Sequence, residues 1–333
     1  MKLTRILLPA ALVAVLAALP GCKKESTETK YLDGSISIVL PHYMAAGESK
    51  TFQVDTMMTL VCPDGDQIGY YFYDATRKTS DTLVTADGVI RKHYYTYTAP
   101  DTTATLSLTF GCYLPADSKY SKATATANFV VVIPGLNGDS SITHFDKATS
   151  PTFKDGRDGR EYYYTHIGDR DWMRQNLAWE GTGRSLDACA VMTEVFGRYY
   201  TWEEAQTACP AGWRLPTDAE WTALQTDAEP GKDITGLAGK MMGDLYFNGT
   251  KMWEYWRDVK ITDKQKLSII PVGYATVADK DYTFQGIYTY AAFWTSDESD
   301  GMGVFRYIYQ DKDIVYRGRT SKTDFAASVR CVR

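Results

Sequence analysis

The sequence predicts a β-rich chain of two folded units, a β-sandwich followed by an α+β domain. Three observations carry that expectation. Between residues 35 and 133, short β-branched and aromatic runs alternate with turn formers and no helical period emerges. After residue 200, two segments open with the same helix-capping signature. Beyond residue 230 the chain is punctuated by glycine and closes in short aromatic strands. With 333 residues, 44% of them hydrophobic, there is material for more than one core.

At the start, Met1, Lys2 and Arg5 lead into an apolar run from Ile6 to Leu19, closed by Leu19-Pro20-Gly21-Cys22. This order resembles the signal peptide and lipobox of a bacterial lipoprotein. The resemblance implies that residues 1–21 are removed and that the Cys22 thiol carries lipid. The apolar run is shorter than the roughly 20 residues of a spanning helix. Residues 22–33, with Lys23-Lys24 followed by Glu25, Ser26, Thr27, Glu28 and Thr29, are read as a flexible polar tether. The folded part is expected outside the cytoplasm, lipid-anchored to the outer membrane and at the cell surface. Net charge is -5, and loss of Lys2 and Arg5 makes the remainder more acidic. Phosphate contacts need clustered Lys and Arg, so nucleic acid is not an expected partner.

In the first unit, read as 34–134, strands are expected at Ser35–Leu40, Thr51–Asp55, Gly69–Tyr73, His93–Thr98, Ala104–Phe110 and Ala127–Ile133. Leu106, Leu108 and Phe110 share one side, and Thr105, Ser107 and Thr109 the other, the pattern of one packed and one wet face. Asp64-Gly65 and Asp87-Gly88 supply turns. A Cys62 to Cys112 bridge would suit an immunoglobulin-like arrangement of such strands. No site is apparent there, and the unit is read as a spacer.

Turn formers at 134–141 mark a linker, read as 135–152, before a second unit at 153–333. Tyr162–Ile167 and Trp172-Met173 predict a hairpin about Gly168-Asp169. Thr201 with Glu204, and Thr217 with Glu220, each predict a capping box opening a helix. The first helix ends at Pro210 and Gly212, and the second buries Trp221 and Leu224. Strands follow at Phe293–Thr295, Val304–Tyr309, Ile314–Tyr316 and Ser328–Val332. The cysteines here, Cys189, Cys209 and Cys331, are odd in number, so one is free or pairs elsewhere. No CxxC occurs and His42, His93, His144 and His166 are far apart, so no metal is expected.

Several strings in this half carry a family resemblance: Asp155-Gly156-Arg157-Asp158-Gly159-Arg160-Glu161-Tyr162, Ile167-Gly168-Asp169, Trp172-Met173, Asn176-Leu177 and Tyr200-Thr201-Trp202. Cys209-Pro210-Ala211-Gly212-Trp213-Arg214-Leu215-Pro216, Glu220-Trp221 and Ser328-Val329-Arg330-Cys331 continue it. Together they resemble the Fibrobacter succinogenes major paralogous domain, frequent on lipoproteins of Bacteroidetes and similar to the C-type lectin-like fold. The resemblance implies a Cys209 to Cys331 disulfide, leaving Cys189 unpaired; a Cys189 to Cys209 bridge is the competing arrangement. Trp172, Trp202, Trp213, Arg214, Pro216, Glu220 and Trp221 are read as structural, with Arg214 and Glu220 as an ion pair. The stretch Arg214–Trp221 and the Val329-Arg330-Cys331 ending are also similar to the formylglycine-generating superfamily, whose copper chemistry needs two cysteines where this chain shows only Cys331. The calcium-binding strings of lectin-like domains are missing too, and Asp297-Glu298-Ser299-Asp300 is read as a solvated turn. No cofactor and no catalytic residue are expected.

The candidate ligand-binding surface lies between 286 and 325: Tyr288, Tyr290, Thr295, Asp297, Asp300, Arg306, Tyr307, Tyr309, Asp311, Tyr316 and Arg317. Tyrosine contributes large contact area at low rotamer cost and keeps a hydroxyl for hydrogen bonding. Alternation sets Phe305, Tyr307 and Tyr309 on one face and Arg306, Ile308 and Gln310 on the other. The Ser-Val-Arg-Cys ending also resembles that of lectin-fold proteins diversified by retroelements, which implies a fixed scaffold displaying variable side chains. The expected function is a non-catalytic recognition module binding an extracellular protein or glycan. Two alternatives stand beside it: an extracellular enzyme, of the sulfatase-modifying type or glycan-active, and a structural subunit of a surface or fimbria-like assembly.

Overall fold

A computed structural model describes residues 29–134, 142–143 and 150–333. The leader at 1–21, Cys22 and most of the linker at 135–152 lie outside the described residues. The protein is β-rich, with several sheets distributed over two units.

The first unit contains β1 (Tyr43–Ala45), β2 (Ser49–Gln53), a single turn α1 (Val54–Met57), β3 (Gly69–Asp74), β4 (Thr79–Val84), β5 (Tyr94–Thr98), β6 (Ala104–Tyr113) and β7 (Thr124–Val132). Five strands form one sheet in the order β1-β7-β6-β3-β4, with β1 parallel to β7; β2 and β5 form another. Period-two alternation sends Leu106, Leu108, Phe110 and Cys112 of β6 to the buried face. Rings from the two sheets meet there: Phe52 lies 5.5 Å from Phe110, Phe72 4.4 Å from Tyr95, and Tyr97 5.7 Å from Phe129.

Three expectations for this unit need correction. Ser35–Leu40 alternates as a strand should, but only Ile36 makes a ladder contact, a bridge to Met58; Ile36, Ile38 and Leu40 pack onto the core instead. The tether ends earlier than residue 33, since Lys30 bridges Tyr120 and Asp33 bridges Val61. Cys62 and Cys112 are both buried and unbonded. Cys112 faces inward on β6, where its Sγ accepts the Ala123 N–H at 3.1 Å, whereas Cys62 sits off the strands in a turn closed by Gly65 N–H to the Cys62 carbonyl.

The chain then forms β8 (Ile142–Thr143), β9 (Thr152–Lys154), β10 (Glu161–Ile167), β11 (Arg170–Met173), α2 (Ala190–Phe196), β12 (Tyr200–Thr201), α3 (Trp202–Ala208) and α4 (Asp218–Thr222). There follow β13 (Ile234–Thr235), α5 (Ala238–Met241), β14 (Tyr246–Phe247), β15 (Thr250–Lys251), β16 (Val272–Ala278), β17 (Asp281–Ile287), β18 (Tyr290–Ser299), β19 (Met302–Tyr309), β20 (Ile314–Thr320) and β21 (Phe325–Ala327). The main sheet runs β12-β21-β16-β18-β19-β20-β13, with β17 paired to β16. Both capping boxes form, at Thr201 with Glu204 and Thr217 with Glu220. The expected strand at 328–332 is replaced by β21 and single bridges from Ser328 to Phe293 and from Val332 to Trp172 and Arg214.

Both faces of this sheet are packed. One carries Phe293, Ile308 and Val315 in a core with Trp172, Trp221 and Trp253; the other carries Ala292, Trp294 and Phe305 with Tyr162, Tyr200 and Trp213. A third core joins the two units: Val132, with Tyr43 and Val130 at its edge, clusters with Cys189, Phe196, Phe247 and Met252. Asn248 Nδ2 donates to the Val131 carbonyl at 3.0 Å, and β8, within the stretch read as linker, pairs with β14.

Cys209 and Cys331 are bonded, the pairing implied by the family resemblance, and Cys189 remains a buried thiol. The bond closes a loop of 122 residues. A cross-link of that span is worth about 4 to 5 kcal/mol in the chain-entropy account. Replacing both cysteines with alanine should therefore lower the urea midpoint substantially and steepen the slope, because the unlinked denatured chain is more expanded. An unchanged midpoint would show that the bond does not hold the domain together.

Candidate functional site: a tyrosine ladder

Alternation along β16, β18, β19 and β20 brings Tyr274, Tyr290, Tyr307 and Tyr316 onto one face of the main sheet, beyond the part covered by α3 and the β10–β11 hairpin. The rings form a continuous ladder across four strands. Tyr274 and Tyr290 lie 5.2 Å apart at 64°, Tyr290 and Tyr307 5.1 Å at 22°, and Tyr307 and Tyr316 4.9 Å at 15°. Tyr309 meets Tyr290 edge-on at 6.3 Å and is 42% exposed. Such pairs contribute about 0.5–1.5 kcal/mol each beyond area burial. The ladder is therefore a preformed surface rather than a set of loose side chains.

Beside it on the same face, Phe305 and Phe325 lie 5.0 Å apart and join the ladder to the buried Trp294. Gly318 of β20 makes room for the Phe305 ring, because a Cβ there would sit 2.4 Å from it. Among the described residues, the hydroxyls of Tyr290, Tyr307, Tyr309 and Tyr316 have no protein hydrogen-bond partner, while that of Tyr274 donates to Gln285 Oε1 at 3.1 Å. Burial raises the pKa of Tyr290, Tyr307 and Tyr316, and the last two also feel Asp233; Tyr316 further feels Asp311. The hydroxyls thus stay protonated donors beside an acidic rim.

The structure divides the other expected ligand residues from this face. Arg306 is 0% exposed: its Nε donates to Asp218 Oδ1 at 2.6 Å and its Nη1 to the Lys232 carbonyl at 2.6 Å. Arg317 pairs with the same carboxylate, Nε to Asp218 Oδ2 at 3.0 Å. Even-numbered Arg306 alternates with odd-numbered Tyr307, so the two point to opposite faces and the arginine braces α4. Thr295 is fully buried, its hydroxyl donating to the Val304 carbonyl. Asp297 accepts the Asp218 N–H at 2.7 Å, and Asp300 pairs with Arg319. Tyr288 turns away in a left-handed conformation, φ 68°, and packs at the core between the units. Tyr290, Tyr307, Tyr309 and Tyr316 are the ones brought together, with Asp311 nearby.

Tyr274, Phe325, Gly318 and Asp233 were missed by sequence reasoning. Alternation in Val272–Ala278 could have flagged Tyr274, but nothing local gives its pairing with β18.

The tryptophans read as structural pack in the two cores of the main sheet, Trp172 and Trp221 in one and Trp202 and Trp213 in the other. Trp172 and Trp221 meet edge-on at 5.1 Å; Trp213 stacks on Phe153 at 4.2 Å. Trp202 Nε1 donates to the Thr295 carbonyl, and the buried Pro216 accepts the Ser296 N–H through its carbonyl. Glu220 accepts from Arg214 at 2.6 and 2.8 Å, from Arg170 at 3.0 Å, and from Thr217 N–H at 2.8 Å. The Arg214 guanidinium above all pulls its carboxyl down to about 2. No group of three or more His, Cys, Asp or Glu arranged to hold a metal occurs among the described residues.

Residues 165–333, just over half of the chain, match the Fibrobacter succinogenes major domain. The chain belongs to the Fibrobacter succinogenes major domain family. Every ladder residue and the whole Glu220 cluster, with Arg214, Arg170 and Thr217, falls within the matched region. No curated protein and no solved structure matches the chain.

A carboxylate whose folded pKa lies below its unfolded value stabilises above the unfolded pKa and loses that contribution as pH falls toward the folded one. For Glu220 the window runs from 4.5 down to about 2. Glu220→Gln should therefore be destabilised at pH 7, and its melting temperature should converge on that of the wild type across this window. Parallel curves would contradict the ion-pair account.

Proposed function

We propose that the chain is a lipid-anchored surface protein whose family domain is a non-catalytic recognition module, with the tyrosine ladder as its contact face for a partner protein. The carrying observation is the stacking. At interplanar angles of 15° and 22° the ladder rings cover one another's faces, leaving edges and hydroxyls outward. Sugar platforms offer ring faces, whereas edges with free hydroxyl donors suit the mixed apolar and hydrogen-bonding surface of a protein. Asp233 and Asp311 at the rim favour a partner presenting Lys or Arg.

The remaining architecture is read to match. Strand order β1-β7-β6-β3-β4 against β2-β5, with a parallel first pair, supports an immunoglobulin-like spacer. A hairpin, two capped helices and a terminal disulfide around a strand meander support a C-type lectin-like fold for the family domain. An enzymatic reading would lack its best-placed carboxylate, since Glu220 is committed to two arginines and a helix cap. The Leu19-Pro20-Gly21-Cys22 string supports the anchor.

Two experiments test this reading. In an array of purified extracellular proteins and glycans, protein ligands should bind and lose at least about tenfold in affinity, ~1.4 kcal/mol, with the double variant Tyr307→Ala/Tyr316→Ala. Unaltered binding, or capture of glycans alone through these tyrosines, would refute the contact face. In cells fed an alkyne fatty acid, the wild type should be labelled and Cys22→Ser should not; equal labelling would remove the anchor.

A further inference from the structure

The first unit, read from the sequence as a spacer, holds a cavity of about 400 Å³ at one end, between α1, the loop of residues 58–68 and the end of β4. Its volume lies in the range of small-molecule sites. The floor is apolar and buried, made by Val54, Met58, Leu60, Cys62, Tyr70 and Val84. Tyr70 brings the one hydroxyl of that floor and donates it to the Leu60 carbonyl at 3.2 Å, so the floor does not call for a polar ligand. At the mouth, Val61 is 59% and Ile90 46% exposed. The exposed large aliphatic side chains among the described residues are Val39, Val61, Val89 and Ile90, and the last three gather at this opening. Asp55, Asp66 and Gln67 complete the mouth, and no Lys or Arg lines it. An apolar chain ending in a free carboxylate would meet acids there, whereas one held in an uncharged ester would not.

The chain's own entry into the fold runs beside this opening. Lys30 pairs with Asp64 at 2.8 Å, in the turn that follows Cys62, and Asp33 exchanges both backbone hydrogen bonds with Val61, at 3.0 and 2.8 Å. Gly34 permits the close approach: its φ is 89°, and a Cβ there would lie 2.1 Å from the Thr59 carbonyl oxygen. Residues 30–34 are thus pinned along the rim. Cys22 precedes Lys30 by eight residues, a span of at most about 29 Å when fully extended. A lipid on Cys22 reaches the opening without any movement of the folded unit. Withdrawing methylenes from water is favourable, whereas exchanging them between a bilayer and an apolar pocket is nearly neutral. Such a pocket gains its occupant when the protein is out of the bilayer.

We infer that this cavity shelters one acyl chain of the protein's own Cys22 lipid whenever the protein is out of a bilayer, an inference that rests on the anchor proposed above. The test uses cells fed a fatty acid that carries both a diazirine and an alkyne. The full mature chain is extracted, the detergent is removed, and the monomer is irradiated, digested and mapped by mass spectrometry. Label on the wild type before irradiation, and none on Cys22→Ser, reports the anchor alone. After irradiation, cross-links should fall on the floor and mouth of the cavity, Met58, Leu60, Val61 and Ile90 foremost. Val61→Asp/Ile90→Asp, which alters exposed side chains only, should lose at least about fivefold of that yield while melting at the wild-type temperature. A labelled wild type whose cross-links scatter outside the cavity, or an unaltered yield in the rim variant, would overturn the inference and leave the anchor standing. Cross-links in the cavity of Cys22→Ser, which carries no probe of its own, would assign the chain to surrounding lipid and overturn it as well. An unlabelled wild type would remove the anchor and this inference together.

Discussion

Residues 328–333 are stitched through the middle of the second unit, and its other parts are positioned by that segment. Ser328 bridges Phe293 of the main sheet, Val329 accepts the Leu177 N–H, Cys331 accepts the Met173 N–H, and Val332 exchanges bonds with Arg214. Cys331 is also bonded to Cys209 behind α3. At the centre lies Arg330, fully buried, its Nε on Asn176 Oδ1 at 2.8 Å and its Nη1 on the Arg174 and Leu267 carbonyls. Burial opposes its charge and lowers its pKa, with Asp263 working the other way. A buried cation that costs solvation is held only by a complete set of acceptors, so its carbonyls must stay where they are. This constraint ties the end of the β10–β11 hairpin and the loop before β16 to the terminal segment, which also bridges the sheet at Phe293 and the approach to α4 at Arg214.

A fixed sheet is what would suit four half-buried tyrosines to the proposed contact role. Each loose side chain would cost rotamer entropy to order at the moment of binding; stacked across β16, β18, β19 and β20 they are already ordered. The opposite face shows how the order is enforced. Asp218 receives Arg306 and Arg317 together, tying α4 to β19 and β20 directly behind Tyr307 and Tyr316. Docking of the first unit through Tyr43, Val130 and Val132 gives the body a shoulder without covering the ladder.

Local signals in the sequence carried the local structure. Two capping boxes needed only Thr and Glu three residues apart, and the hairpin needed only Gly168-Asp169 between alternating runs. Alternation also gave the correct face for Phe305, Tyr307 and Tyr309. Sequence failed where partners are distant. Ser35–Leu40 has strand alternation, but no free sheet edge receives most of it. Arg306 and Arg317 looked like surface recognition residues because nothing nearby announces Asp218, about a quarter of the chain away. The Cys62 and Cys112 pairing rested on compartment and spacing, and neither encodes the direction in which a thiol points. The β16–β17 hairpin lacked a glycine turn, since Asp279 and Lys280 themselves adopt the left-handed conformation.

The central claim is that the ladder is an open, rigid contact face on a closed scaffold. Hydroxyl-radical footprinting with mass spectrometry addresses it most directly, on the free protein and on its complex with a captured partner. In the free protein Tyr307, Tyr309 and Tyr316 should be oxidised while the buried Tyr199 and Tyr200 are spared, and the partner should suppress oxidation of the first three. Ladder tyrosines as unreactive as Tyr199 in the free protein, or equally oxidised with the partner bound, would contradict the account.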